Sequence, residues 1–227
     1  MTTIAANLQA VHDRIARALH AAGRNETKVT LLAVSKGVSV ARILEAFRCG
    51  QRAYGENYVQ EALAKMDALR DTPLEWHYIG PIQSNKTRAI AERFHWVHSI
   101  DRVKVAQRLA AARPANMPPL NVCMQLNVSG ETTKGGISPG EERALAQAIA
   151  ALPQLRLRGL MAIPEPTSDI ASQRRRYAAV RVARDRLVEA GYALDTLSMG
   201  MSNDLEAAIA EGATIVRIGT AIFGARP

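Results

Sequence analysis

Apolar and polar positions along this chain recur with two periods. Across residues 4–22, Leu8, Val11, Ile15 and Leu19 fall three or four apart and line one face of a predicted helix, which Gly23 ends. Residues 29–35 form a short apolar, β-branched run that predicts a strand, followed by a helix at 39–49 with Ser39 at its N-cap. The rhythm then repeats. Strands are predicted at 51–55, 75–79, 96–99, 120–127, 155–162, 196–199 and 214–218. Helices are predicted at 57–69, at 84–93, at 101–112 with Asp101 as cap, at 139–152 opened by Pro139, at 169–190 and at 203–211.

This makes about eight strand–helix units after one extra helix. Strands separated by helices pair in parallel, so the fold class is α/β. The unit count equals the closure number of a (β/α)8 TIM barrel, here with an extra N-terminal helix. A doubly wound open sheet is the competing architecture. No linker, low-complexity tract or charge block divides the chain, and residues 1–227 are read as a single domain.

Composition changes this picture little. At 227 residues and 24.6 kDa, with 48% hydrophobic, 22% charged and 4% aromatic residues, the chain can bury a large, mainly aliphatic core. The net charge of +8 and pI of about 9.9 suit a nucleic acid or a phosphorylated small molecule. The densest basic cluster, Gln173-Arg174-Arg175-Arg176, has no interleaved aromatic residue and reads as a solvated helix face rather than a nucleic-acid surface. Cys49 and Cys123 lie in apolar stretches, outside any metal-ligand spacing, and read as core residues in a reducing compartment. The N-terminus lacks the pattern of a signal peptide, and no apolar stretch is long enough to cross a bilayer, so a cytoplasmic location is expected.

Candidate chemistry starts at Lys36, where the run Leu31-Leu32-Ala33-Val34-Ser35 ends in an amine and then Gly37. A lysine at the rim of a core is partly desolvated. Its neutral form, the nucleophile that condenses with aldehydes, becomes accessible. The alternative is a lysine that only marks where the strand meets solvent. Barrels work at the carboxyl ends of their strands and recurrently bind phosphate after strands seven and eight. There this chain carries Ser198-Met199-Gly200-Met201-Ser202-Asn203 and Arg217-Ile218-Gly219-Thr220. Glycines let backbone N–H groups approach an anion, and Ser202 and Thr220 add hydroxyl donors. The same residues also serve tight turns and helix caps. Arg217 interrupts an apolar strand and needs a partner, either a carboxylate or a ligand acceptor such as a ring nitrogen. An amine, an anion cradle and an interior arginine together describe pyridoxal 5′-phosphate (PLP), with the aldehyde at Lys36, the phosphate at Ser202 and Gly219/Thr220, and the pyridine nitrogen at Arg217.

The segments Ala33-Val34-Ser35-Lys36, Tyr54-Gly55-Glu56-Asn57-Tyr58-Val59-Gln60-Glu61 and Trp76-His77-Tyr78-Ile79-Gly80-Pro81-Ile82-Gln83-Ser84-Asn85-Lys86 carry a family resemblance. So do His98-Ser99-Ile100-Asp101, Arg158-Gly159-Leu160-Met161-Ala162-Ile163-Pro164, Leu197-Ser198-Met199-Gly200-Met201-Ser202 and the run VRIGTAIFGAR from Val216 to Arg226. With them the chain closely resembles the pyridoxal phosphate homeostasis proteins, relatives of the N-terminal barrel of alanine racemase. The resemblance implies a fold-type III PLP barrel with Lys36 as the Schiff-base lysine. It implies that Ser202, Gly219 and Thr220 hold phosphate, that Arg217 faces the pyridine nitrogen, and that Asn57 and Met199 line the pocket. The chain departs from relatives at Gly37-Val38-Ser39-Val40, where they often have Lys-Pro, and carries a variable glycine-rich loop from Gly130 to Gly136. Lys86 and Lys134 are candidates for secondary roles, while His77, between Trp76 and Tyr78, is read as a core residue bonded to a neighbour.

Two functions follow. The first is a PLP carrier, without dedicated catalytic activity, that buffers the aldehyde and hands it to apo PLP-dependent enzymes. It would act as a monomer with no membrane or nucleic-acid partner. The second is a single-barrel PLP-dependent amino-acid racemase. Racemisation needs an acid/base on each face of the carbanion and a strong electron sink, and an arginine that stays protonated is a weak sink. A third reading, a basic RNA-binding module, predicts no cofactor.

Overall fold

The computed structural model describes residues 3–129 and 135–224. Helix α1 (Ile4–Ala21) comes first, capped by Thr3, whose side chain accepts from the Ala6 amide. Strand and helix then alternate: β1 (Thr30–Val34), α2 (Val40–Arg48), β2 (Ala53–Glu56), α3 (Val59–Ala68), β3 (Glu75–Tyr78), α4 (Thr87–Arg93), β4 (Trp96–Ile100) and α5 (Val103–Ala112). The second half runs β5 (Leu120–Gln125), α6 (Glu142–Ala150), β6 (Leu155–Met161), α7 (Ile170–Glu189), β7 (Thr196–Ser198), α8 (Leu205–Ala210), β8 (Ile215–Ile218) and α9 (Thr220–Phe223). Each strand pairs in parallel with the next, and β8 pairs back onto β1 through Thr30–Ile215 to Ala33–Ile218, closing the sheet. The expected barrel therefore forms, and the open sheet is ruled out.

Strand alternation sorts side chains into two cores. On β1, Leu31 and Ala33 join the large cluster shared with the helices. Leu32 instead groups with Ala53, Ile79 and Ile215, and Trp96, Cys123 and Met161 form another small cluster. These two groups fill the lumen together with a polar layer. His98 of β4 and Ser198 of β7 lie within 2.8 Å, although their strands are not neighbours, so that contact crosses the barrel interior. Helix α1 packs its buried Ile4, Leu8, Val11, Ile15 and Ala18 against α8, α9 and α2. The extra helix thus braces the loops after β7 and β8.

Several boundaries differ from the sequence expectation. Asp101 does not cap α5: Arg102 holds the N-cap position, and Asp101 pairs with its guanidinium at 2.7 Å. Pro139 does not open α6, because Gly140 follows it at φ +102 and breaks the turn before Glu142. Residues Ser84–Lys86 form a 3-10 turn ahead of α4. Cys123 is buried as expected, with burial pushing its thiol up to about 12, but Cys49 is exposed at the end of α2. Ser39 sits at the N-cap of α2 without a side-chain bond to it.

Gly159 on β6 has a steric reason to be glycine: a Cβ there would lie 1.8 Å from the Thr196 carbonyl oxygen of β7. Backbone must move to admit it. Gly159→Ala is therefore expected to destabilise the barrel by about 2–3 kcal/mol, seen as a lower urea midpoint. An unchanged midpoint would contradict this packing.

Candidate functional site

Lys36 is held at the barrel mouth through its neighbours. Ser35 is fully buried; its amide donates to the Gly55 carbonyl (2.9 Å) and its hydroxyl to Glu56 Oε1 (2.6 Å). Lys65 Nζ, reaching in from α3, donates to the Ser35 carbonyl (2.6 Å), to Glu56 Oε1 (2.8 Å) and to Glu61 Oε1 (2.5 Å). Glu61 Oε1 in turn accepts from the Gly37 amide (2.6 Å). One buried ammonium and two carboxylates thus clamp the peptide on both sides of Lys36. Burial pushes the Glu56 carboxyl above the usual range, against the pull of Lys65 and Ser35, and its Oε2 has no hydrogen-bond partner. No motif in the sequence singles out Lys65. Its i,i+4 spacing from Glu61 is the available signal.

Arg217 sits on β8, 3% exposed, beside β1. Its Nη1 donates to the Ser198 carbonyl (2.5 Å) and hydroxyl (2.9 Å), and its Nη2 to the Ala162 carbonyl (2.8 Å). These bonds take three of the five N–H groups of a guanidinium. Among the described residues no carboxylate lies within ion-pair distance of it, so the structural ion pair considered from sequence is not formed. Burial lowers its pKa, and Tyr177 and Asp204 at longer range oppose that shift.

The loop after β7 is built around Asp204. Its Oδ1 accepts from the Met201 amide (2.6 Å) and its Oδ2 from the Tyr177 hydroxyl (2.8 Å). Arg14, on α1, donates from Nη1 to the Ser202 carbonyl (2.8 Å) and bonds Glu206 through Nε and Nη2 at 2.6 and 2.7 Å. That fork holds the Glu206 carboxyl below its usual range. Gly200 has φ +96, and a Cβ there would meet Ala208 Cβ at 2.6 Å, so it serves a tight turn against α8.

A cavity of about 1030 Å³ opens at this end of the barrel, and Lys36, Asn57, Ser202, Arg217, Gly219 and Thr220 all line it. Asn57 also carries a buried Oδ1 without a hydrogen-bond partner. Met199 is the exception among the predicted residues. It is fully buried, belongs to the helix-facing cluster and does not line the cavity, whereas Met201 does. The reason is alternation: Ser198 turns its hydroxyl into the lumen, so Met199 points the other way. His77 is buried in the lumen and bonded to His98 (2.9 Å), as expected of a core residue. Lys86 does not line the cavity, and Lys134 lies outside the described residues. Among the described residues no group of His, Cys, Asp and Glu is arranged to hold a metal ion.

The alanine racemase N-terminal domain family matches this chain over residues 6–227. The pyridoxal phosphate homeostasis protein of Pseudomonas aeruginosa is 61% identical over 226 residues, which cover 100% of this chain and 97% of that one. Its namesake in Escherichia coli K12 is 52% identical over 229 residues, covering 100% of this chain and 98% of that one. Among solved structures, that of PipY from Synechococcus elongatus PCC7942 with PLP bound matches with a TM-score of 0.85 at 36% identity, over 98% of this chain and 100% of that one. By sequence over its whole length and by the barrel it folds into, the chain belongs to the alanine racemase N-terminal domain family and, within it, stands with the pyridoxal phosphate homeostasis proteins.

Proposed function

We propose that this chain binds PLP reversibly on Lys36 and serves intracellular PLP homeostasis as a buffer and donor to apo PLP-dependent enzymes. The observation that carries this reading is a single wall: Lys36 and Arg217, from neighbouring strands, line one cavity with Ser202 and Thr220. The donor set fits the group. An amine suits an aldehyde, a guanidinium suits a ring nitrogen, and hydroxyls suit a phosphate; the unpartnered Asn57 Oδ1 offers an acceptor to a ring hydroxyl. When bound, PLP supplies an aldehyde that condenses reversibly with a primary amine.

The protein's own residues favour holding over turnover. Arg217 can donate but not release a proton to a ring nitrogen, which leaves the electron sink weak. Among the described residues lining the cavity, the ionisable groups besides Lys36 and Arg217 are Asp204 and Glu206. Asp204 is engaged by Tyr177 and the Met201 amide, and Glu206 by Arg14. Neither stands ready as an acid/base opposite Lys36, which supports a carrier over a racemase. The basic cluster on α7 is ion-paired: Arg174 with Glu211, Arg175 with Asp169 and Arg176 with Glu165. That pairing supports a solvated face over a nucleic-acid surface. Among the described residues no helix is long and apolar enough to cross a membrane. We read residues 1–227 as one PLP-binding domain acting as a cytoplasmic monomer.

Borohydride reduction of the PLP-loaded protein followed by peptide mass analysis is expected to find a phosphopyridoxyl group on Lys36, and none after Lys36→Ala. Modification of another lysine instead would overturn the site. Incubation with L-alanine or L-serine is expected to yield no D-isomer, while apo-enzyme is reactivated stoichiometrically; steady D-isomer formation that Lys36→Ala abolishes would establish the racemase reading. Arg14→Ala removes the tether on the Ser202 carbonyl and is expected to raise the Kd for PLP about tenfold, the equivalent of one lost hydrogen bond to a charged group. An unchanged Kd by fluorescence titration would mean that the Ser202 loop needs no brace.

A further inference from the structure

The lumen contains a row of polar side chains that the binding reading leaves unexplained. Arg217 Nη1 donates to Ser198 Oγ (2.9 Å), and Ser198 Oγ lies 2.8 Å from His98 Nδ1. His98 Nε2 lies 2.9 Å from His77 Nδ1. His77 Nε2, buried and without a hydrogen-bond partner of its own, lies 3.2 Å from Glu75 Oε1, at ion-pair distance but outside hydrogen-bond alignment. His77, His98 and Ser198 are 1%, 0% and 0% exposed, whereas the Glu75 side chain is 47% exposed. Glu75 begins β3, so it lies at the amino end of the strands, and it lines a second cavity of about 660 Å³ there with His95 and Arg113. The row therefore runs through the barrel from the Lys36 mouth to the opposite one.

Its two ends demand the same direction. A guanidinium only donates, and a carboxylate only accepts. Burial lowers the pKa of both histidines, and a neutral imidazole has one donor and one acceptor. If Glu75 accepts from His77 Nε2–H, then His77 Nδ1 is bare and accepts from His98 Nε2–H. His98 Nδ1 is then bare as well and takes the Ser198 hydroxyl proton. Only in that state does Ser198 turn a lone pair to Arg217 with its own proton satisfied. Reversing the row would aim both His98 and Arg217 donors at one hydroxyl. The His77 ring is also stacked on Trp96, at 5.4 Å and 5° between planes, which opposes a ring flip. We infer that Glu75, His77, His98 and Ser198 are positioning residues that set the orientation of the Arg217 guanidinium at the ligand cavity through a one-way hydrogen-bond row anchored at the far mouth. This rests on the reading that Arg217 faces the ligand.

The test replaces the exposed anchor. Glu75→Gln keeps a carbonyl acceptor, Glu75→Leu removes it, and Glu75→Lys supplies a donor that opposes the row. Nitrogen-15 NMR of histidine-labelled, ligand-free protein is expected to find His77 and His98 protonated at Nε2 in the wild type and in Glu75→Gln. In Glu75→Lys both are expected to shift to Nδ1–H. With PLP, Glu75→Lys and Glu75→Leu are expected to raise the Kd about tenfold, with Glu75→Gln within about twofold of wild type, since the orientation of one hydrogen bond from a charged group is at stake. Nδ1–H at His98 in the wild type would overturn the row, and equal Kd values across all three variants would overturn its role. The tautomers are read without ligand. A wild-type protein that takes up no PLP would therefore sink the binding reading while the NMR result still decides the row. If Glu75→Lys fails to fold, the wild-type spectrum still decides the direction of the row, and the Leu and Gln variants still decide its role.

Discussion

The pairing of β8 with β1 is the interaction on which the site depends. In a parallel sheet each strand is brought to its neighbour by a helix, so residues near the two ends of a sequence normally stay far apart. Closure removes that separation. The register from Thr30–Ile215 to Ala33–Ile218 sets the end of the first strand beside the end of the last. An amine and a guanidinium from opposite ends of the chain then share one wall. Closure also leaves no sheet edge, so every strand is buried between lumen and helices.

Two buried cations at this mouth are handled in opposite ways. Removing a charge from water costs several kcal/mol unless partners compensate. The Lys65 ammonium meets two carboxylates and a carbonyl, which neutralise it and turn it into a clamp on the Lys36 peptide. The Arg217 guanidinium meets two carbonyls and a hydroxyl, which hold it without cancelling its charge. The first arrangement makes a rigid anchor. The second keeps positive charge available at the cavity, where an uncharged acceptor or an anion can use it.

Helix α1 gives the loops a frame from outside. Besides Arg14, Asn7 Nδ2 donates to the Ile222 carbonyl (2.9 Å), and Arg24, in the turn just after the helix, donates to the carbonyls of Ile209 and Ala213. These bonds give side-chain donors to a carbonyl of α9, to the Ile209 carbonyl of α8, which also accepts from the Gly212 amide, and to the Ala213 carbonyl just after α8. Apolar packing along Ile4, Leu8, Val11 and Ile15 holds the helix in register for them. A helix outside the barrel repeat thus stabilises the two loops that face the cavity.

Much of this is legible in the sequence because it is local. The switch between 2-fold and 3.6-fold periodicity marks each strand and helix, and their number marks the closed barrel. Lys36, Ser202, Arg217, Gly219 and Thr220 can be read from motifs at strand ends, Asn57 through the family resemblance, and all of them line the cavity. Other features depend on neighbours that a linear pattern does not reveal. Asp101 and Pro139 have the chemistry of helix starts, but the backbone turns one residue later in one case and is interrupted by Gly140 in the other. Met199 and Met201 are alike in sequence, and only the direction of Ser198 decides which of them meets the cavity. Lys65, Arg14 and the paired rings of His77 and His98 owe their roles to partners that the fold delivers across strands and helices. The sequence by itself determined the elements, the barrel and the reactive groups at its mouth, because hydrophobic period and strand-end position are properties of short stretches of chain. Tertiary structure alone decided which buried charges are cancelled and which stay available, because that depends on what closure of the barrel brings within hydrogen-bond distance.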